Sequence, residues 1–202
     1  MQTFIIKPLN IVETESIKTI TGRFKEKNKI YIITGAEKVG KTALSIKILC
    51  YLLKETQKDF KPIFISLDNT AEYWQNLIQL NKEIFRYPFK HKPAVSWGGI
   101  CMALDKELLD QQYNFIVIDG IDKCKDVMNE KEFENIFLAV VNFSKTTNAT
   151  VFITGRTNQL SLAHPCLIEA QQEGSLEFWH LERPGYLGGD IKEFGDTKLE
   201  IQ

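Results

Sequence analysis

The chain has 202 residues, 44% hydrophobic and 25% charged, the values of one globular domain with its own core and too few residues for a second large one. Lys and Arg number 25 against 26 Asp and Glu, and the resulting net charge of −1 excludes a whole-protein attraction to nucleic acid or membrane, so any polyanion must be met by a local patch. The start, Met1-Gln2-Thr3-Phe4-Ile5-Ile6-Lys7-Pro8, is not a signal peptide, and no apolar run approaches the roughly eighteen residues of a membrane span, which points to a cytoplasmic protein without membrane contact.

In chain order, residues 1–28 read as a lead-in segment, with a short helix possible over Thr14-Glu15-Ser16-Ile17-Lys18-Thr19-Ile20 and a turn at Asn28. The folded domain is expected over residues 29–202. There, short runs of Ile, Val and Phe alternate with longer helical patterns, the mark of βαβ units on a mostly parallel sheet with helices on both faces. Strands are predicted at Lys29 to Thr34, Pro62 to Leu67, Phe115 to Ile118 and Thr150 to Thr154, nearly all apolar as doubly buried parallel strands must be. Helices are predicted from Thr42 to about Gln57, Thr70 to Leu80, Gly99 to Gln111 and Lys131 to Thr146. In the last, Phe133, Ile136, Phe137, Val140, Val141 and Phe143 make a broad apolar face of the kind that covers a core. The tail alternates from Leu176, turns through Pro184-Gly185-Tyr186-Leu187-Gly188-Gly189 and ends in Lys198-Leu199-Glu200-Ile201, a C-terminal β-hairpin. The fold class is α/β.

Between the first strand and first helix stands Gly35-Ala36-Glu37-Lys38-Val39-Gly40-Lys41-Thr42, followed by Ala43: a complete Walker A motif in the strand, loop, helix context that the motif requires. Glycines at 35 and 40 let the loop close around an anion, so that backbone N–H groups and the positive end of the following helix point at phosphates. Lys41 supplies a point charge to the β/γ-phosphates, and the Thr42 hydroxyl is placed to hold Mg²⁺. ATP with Mg²⁺ is the expected ligand.

Phe115-Ile116-Val117-Ile118-Asp119 is an apolar strand ending in an acid, the Walker B pattern, although a strand running into the turn pair Asp119-Gly120 has the same spelling. At the carboxyl end of a parallel strand beside the loop strand, Asp119 is the metal residue. Two more strand ends belong to the same crevice. Asp68 follows Pro62 to Leu67 and serves either as the general base that polarises the attacking water or as the cap of the helix near Thr70. Gly155-Arg156 follows Val151-Phe152-Ile153-Thr154.

This order of motifs, with Glu182-Arg183-Pro184-Gly185-Tyr186-Leu187-Gly188-Gly189-Asp190 and then Gly195, resembles the RecA-like ATPase domain of DnaB-type replicative helicases over roughly Phe24 to Ile201. The resemblance implies a hexameric ring around single-stranded DNA with nucleotide between subunits. It gives Lys41 and Thr42 the phosphates and Mg²⁺, Asp119 the Walker B role, and Asp68 the place of a catalytic glutamate. The family's serine-glutamine pair, which senses the γ-phosphate, falls at Thr154-Gly155, so the glutamine is missing unless Gln159 substitutes. The sequence ends at Gln202, before the family's segment carrying a trans-acting arginine finger. Since a finger contributes about three to five powers of ten in turnover, slow hydrolysis is expected unless Arg156 or Arg183 takes that part. Arg156 is alternatively a structural ion pair, and Arg183 a loop contact.

Phe85-Arg86-Tyr87-Pro88-Phe89-Lys90-His91-Lys92-Pro93 combines aromatic faces for bases with cations for phosphates, and equally reads as a proline-stiffened surface loop. Lys123 and Lys125 follow Walker B, where RecA-like domains place DNA-facing loops. Cys50, Cys101, Cys124 and Cys166 are too scattered for a zinc site and read as packed thiols, although His164 stands two residues before Cys166. The expected function is an ATPase acting on or near single-stranded DNA, alone, as a homo-oligomer or beside a partner ATPase. The alternative is a nucleotide-dependent regulatory or partner-binding module with little hydrolysis. A small-molecule phosphotransferase needs an arginine-rich lid that this sequence does not display.

Overall fold

The structure, a computed structural model, describes residues 2–6, 28–37, 39–56, 62–66, 90–93, 114–123, 130–156, 165–182 and 197–201. The described residues form eight strands: β1 (Gln2–Ile6), β2 (Ile30–Gly35), β3 (Pro62–Ser66), β4 (Lys90–Pro93), β5 (Phe115–Asp119), β6 (Thr150–Thr154), β7 (Leu176–Glu182) and β8 (Thr197–Ile201). Among the described residues three α-helices accompany them: α1 (Lys41–Thr56), α2 (Glu130–Thr147) and α3 (Pro165–Gln172). The strands make one sheet in the order β1-β8-β7-β2-β6-β5-β3-β4. From β7 to β4 every neighbouring pair is parallel, whereas β8 runs antiparallel to both β7 and β1. This is an α/β fold.

Every residue of β2, β5 and β6 is buried, which explains their continuous apolar spelling: strands covered on both faces have no solvent side to mark with polar residues. One face contributes Ile30, Ile32, Ile116, Ile118, Val151 and Ile153 to a cluster completed by Phe137, Val140 and Val141 of α2 and Leu167 of α3. Tyr31, Phe152 and Trp179 alternate with those residues and meet edge to face, Trp179 at 5.4 Å from Tyr31 and 5.6 Å from Phe152 between ring centroids. Helix α1 packs on β2 and β6, and its buried Leu44, Ile48 and Leu52, four residues apart along one face, lie outside the first cluster.

Elements expected to be doubly buried fall within a residue or two of prediction: β6 spans the expected range, β5 continues to Asp119, and β2 is shifted by one. Of the anticipated face of α2, Phe137, Val140 and Val141 are buried and Phe143 half-buried. The helix stops at Asn148, whose φ of 60° is the left-handed conformation that ends helices, and the Ser144 hydroxyl donates to Ala149 O at 2.7 Å to secure the turn. The helices predicted at 70–80 and 99–111, the helix considered at 14–20, and the loop at 183–189 lie outside the described residues.

Three elements differ from expectation. Gln2–Ile6 is a strand paired with β8 along five residues, inside the stretch read as a lead-in. Lys90–Pro93 is not a loop backbone but a strand alongside β3, its proline tolerated at an outer position of the sheet. Helix α3 has proline at its first position and Gly174, φ 73°, just past its end, the terminal preferences that let so short a segment be helical. Among the described residues no helix is long and apolar enough to cross a membrane.

Candidate functional site

Because β2, β6 and β5 are adjacent and parallel, the segments leaving their carboxyl ends converge at one edge of the sheet. These segments are the loop 35–40, the pair Gly155-Arg156, and Gly120 followed by the single 3₁₀ turn Ile121–Lys123.

The loop is shaped by two glycines. Gly35 has φ +151°, and a Cβ there would stand 2.5 Å from the carbonyl oxygen of Leu181 on β7 and 3.0 Å from Val39 Cγ1, so no side chain fits. Gly40, φ 105°, offers its carbonyl to Leu44 N at 2.9 Å and thereby opens α1. Val39 between them is buried, while Ala36 and Glu37 face solvent. From the first turn of α1, Lys41 folds back over the loop, its Nζ donating to Ala36 O at 2.7 Å and Gly35 O at 3.0 Å.

The next residue reaches across the sheet. Thr42 Oγ1 donates to the Asp119 carboxyl, 2.9 Å from Oδ1 and 3.0 Å from Oδ2. Asp119 was expected on a strand beside the loop strand; instead β6 lies between β2 and β5. The contact forms because α1 leaves the loop and passes over β6, bringing its first turn to the tip of β5. Asp119 has no exposed surface, and burial of such a group demands hydrogen-bonding partners. A second donor comes from β6: Thr154 Oγ1 to Oδ1 at 2.7 Å. The same hydroxyl accepts from Gly120 N at 2.9 Å. Thr42, Asp119, Thr154 and Gly120 thus form a closed chain joining α1, β5 and β6.

Arg156 completes the edge. Its Nε lies 3.1 Å from Asp122 Oδ2 in the 3₁₀ turn, and its Nη2 3.1 Å from Glu37 Oε2 in the loop. Of the two roles open to Arg156 in the sequence, the structural ion pair is therefore occupied. On the other side of the loop strand, buried Thr34 places Oγ1 3.1 Å from His180 Nδ1 on β7.

The structure brings together Gly35, Ala36, Glu37, Val39, Gly40, Lys41, Thr42 and Asp119 from the expected set. Ala43 is in α1, with its side chain outside the described residues, as are Lys38 and Asp68 entirely. Cys166 packs into the core cluster, and His164 lies outside the described residues. Three participants were not anticipated as such: Asp122, the hydroxyl of Thr154 as a donor to Asp119, and Thr34. Only the position of Thr154 at a strand end carried a signal, because the bonds themselves depend on register between strands.

Chemically, Thr42 and Asp119 are hard oxygen donors of the kind Mg²⁺ accepts, and a glycine-bounded turn at the start of a sixteen-residue helix presents N–H groups suited to an anion. Among the described residues there is no cluster of three or more His, Cys, Asp or Glu placed to hold a metal. No protein-family model matches the chain, and no curated protein matches it.

Proposed function

We propose that the chain is a P-loop ATPase with a RecA-like architecture and a C-terminal β-hairpin, resembling the motor domain of DnaB-type replicative helicases, that binds ATP with Mg²⁺ and acts on or near single-stranded DNA. The observation that carries the reading is the bond from Thr42 to Asp119: two residues 77 apart in sequence, each picked out by a separate motif, meet at 2.9 Å. A chance spelling of either motif has no reason to bring its polar residue to the other.

In this reading the backbone of Gly35 to Thr42 cradles the phosphates, and Lys41 exchanges the carbonyls of Gly35 and Ala36 for β/γ-phosphate oxygens. Thr42 and Asp119 would hold Mg²⁺, which when bound neutralises charge on the β- and γ-oxygens. Thr154 keeps the Asp119 carboxyl in one orientation. Asp68, two residues beyond the end of β3, serves as general base toward water.

A second reading, a nucleotide-dependent regulatory or partner-binding module with little hydrolysis, draws on Arg156. Its guanidinium is held by two carboxylates of its own chain, which disfavours use as a finger toward a neighbouring subunit. Turnover separates the two. The ATPase reading predicts phosphate release that rises with an oligonucleotide and is lost in Lys41→Ala; the module reading predicts ATP binding, lost in the same variant, with no turnover in either protein. Phosphate release equal in wild type and Lys41→Ala refutes the first.

A further inference from the structure

Thr34 stands one residue before the phosphate loop, and it is buried, 1% exposed. A hydroxyl there costs stability unless it is hydrogen-bonded, and a strand covered on both faces is filled at less cost by apolar residues such as Ile30, Ile32 and Ile33. The hydroxyl is met from β7. Its Oγ1 donates to Trp179 O at 3.4 Å and stands 3.1 Å from His180 Nδ1. Because a hydroxyl carries one proton, both contacts are satisfied together when His180 Nδ1–H is the donor to Oγ1. His180 is half-buried and lies opposite Thr34 in register, as Leu181 lies opposite Gly35. These are the last two pairs between β2 and β7, and the second is so close that Gly35 has no room for a Cβ against Leu181 O. The end of β7 therefore meets the start of the loop twice, once through backbone and once through the His180 ring. Directly beyond Thr34, the Gly35 carbonyl accepts from Lys41 Nζ at 3.0 Å.

We propose that His180 is a positioning residue for the phosphate loop: through the Thr34 hydroxyl it fixes the strand end from which the loop leaves β2, and so sets the backbone N–H groups that meet the anion. The proposal rests on the nucleotide reading above. Strand ends fray when little holds them, and a cradle ordered before its ligand arrives loses less binding energy to ordering. His180 acts through Thr34 and orders the cradle as a whole. Its contribution therefore falls equally on triphosphate and diphosphate.

The test is titration of the whole chain with Mg·ATP and, separately, Mg·ADP, with thermal melting of each protein to verify the fold. The amide nitrogen of asparagine can stand where Nδ1 does and donate to Thr34, whereas glutamine carries its amide one carbon further out. His180→Gln and Thr34→Val should each bind both nucleotides about fivefold more weakly, as expected for one hydrogen bond, and the double variant no more weakly than either. His180→Asn and Thr34→Ser should stay within about twofold of wild type. Wild-type affinity in folded His180→Gln, losses that multiply in the double variant, or His180→Asn as weak as His180→Gln overturns the proposal while the nucleotide reading stands. Should His180→Gln not fold, Thr34→Val against Thr34→Ser reads the same bond from its other end: a gap of about fivefold supports the proposal, and equal affinities overturn it. Failure of folded wild type to bind either nucleotide overturns the nucleotide reading itself, and this proposal with it.

Discussion

Asp119 and Glu37 are both carboxylates near the carboxyl end of the central strands, and they are held in opposite ways. Asp119 is wholly buried and receives hydroxyls from α1 and β6. Glu37 is 60% exposed and meets one edge of a guanidinium. Water makes the difference: inside, each polar group must find a protein partner or lose a large solvation energy, so the network is closed and fixed. Outside, water stands ready to replace any partner, so the contact is exchangeable. The proposed nucleotide site draws on both kinds.

Substitutions test this contrast. The largest effect is expected from Gly35→Ala, which disturbs the end of β2 where the loop begins. Its methyl group meets backbone, the Leu181 carbonyl at 2.5 Å, where no rotamer change helps, and φ +151° adds strain. We expect a loss of about 3 kcal/mol in urea unfolding. Next is Thr154→Val, which keeps shape but removes the donor to Asp119 and the acceptor for Gly120 N; a loss of about 1–3 kcal/mol is expected, lowering the melting midpoint by roughly 2–4 °C per kcal/mol. Asp122→Asn, which weakens the desolvated side of the Arg156 clamp, should cost about 1–2 kcal/mol. Glu37→Gln should change stability by less than about 0.5 kcal/mol. An effect of Glu37→Gln as large as that of Thr154→Val would erase the contrast between fixed and exchangeable carboxylates.

The sequence spells out what burial dictates locally and is silent where pairing decides. β2, β5 and β6 are recognisable because strands covered on both faces admit only apolar residues, from Ile30 to Ile33 and from Phe115 to Ile118. Lys90-His91-Lys92-Pro93 carries no such mark, and it is a strand only because β3 offers an edge to pair with. Gln2–Ile6 likewise depends on β8, almost two hundred residues away in sequence. Within the site, Gly35, Gly40, Lys41, Thr42 and Asp119 are legible because their chemistry is tied to short spacings. The bond from Thr154 to Asp119 follows from the register that sets Ile118 opposite Ile153, and the Arg156 clamp from two turns brought together by β5 and β6, neither of which any spacing encodes.

The proposed function requires that the loop from Gly35 to Thr42 and the acid at the tip of β5 hold one magnesium triphosphate between them. Isothermal titration of wild type and Asp119→Asn with ATP, each with Mg²⁺ and again with excess chelator, tests it most directly. Saturable binding that weakens on chelation in wild type, and that no longer responds to chelation in Asp119→Asn, is the predicted result. Saturable binding in both proteins with the same response to chelation would contradict the claim, as would no binding by folded wild type.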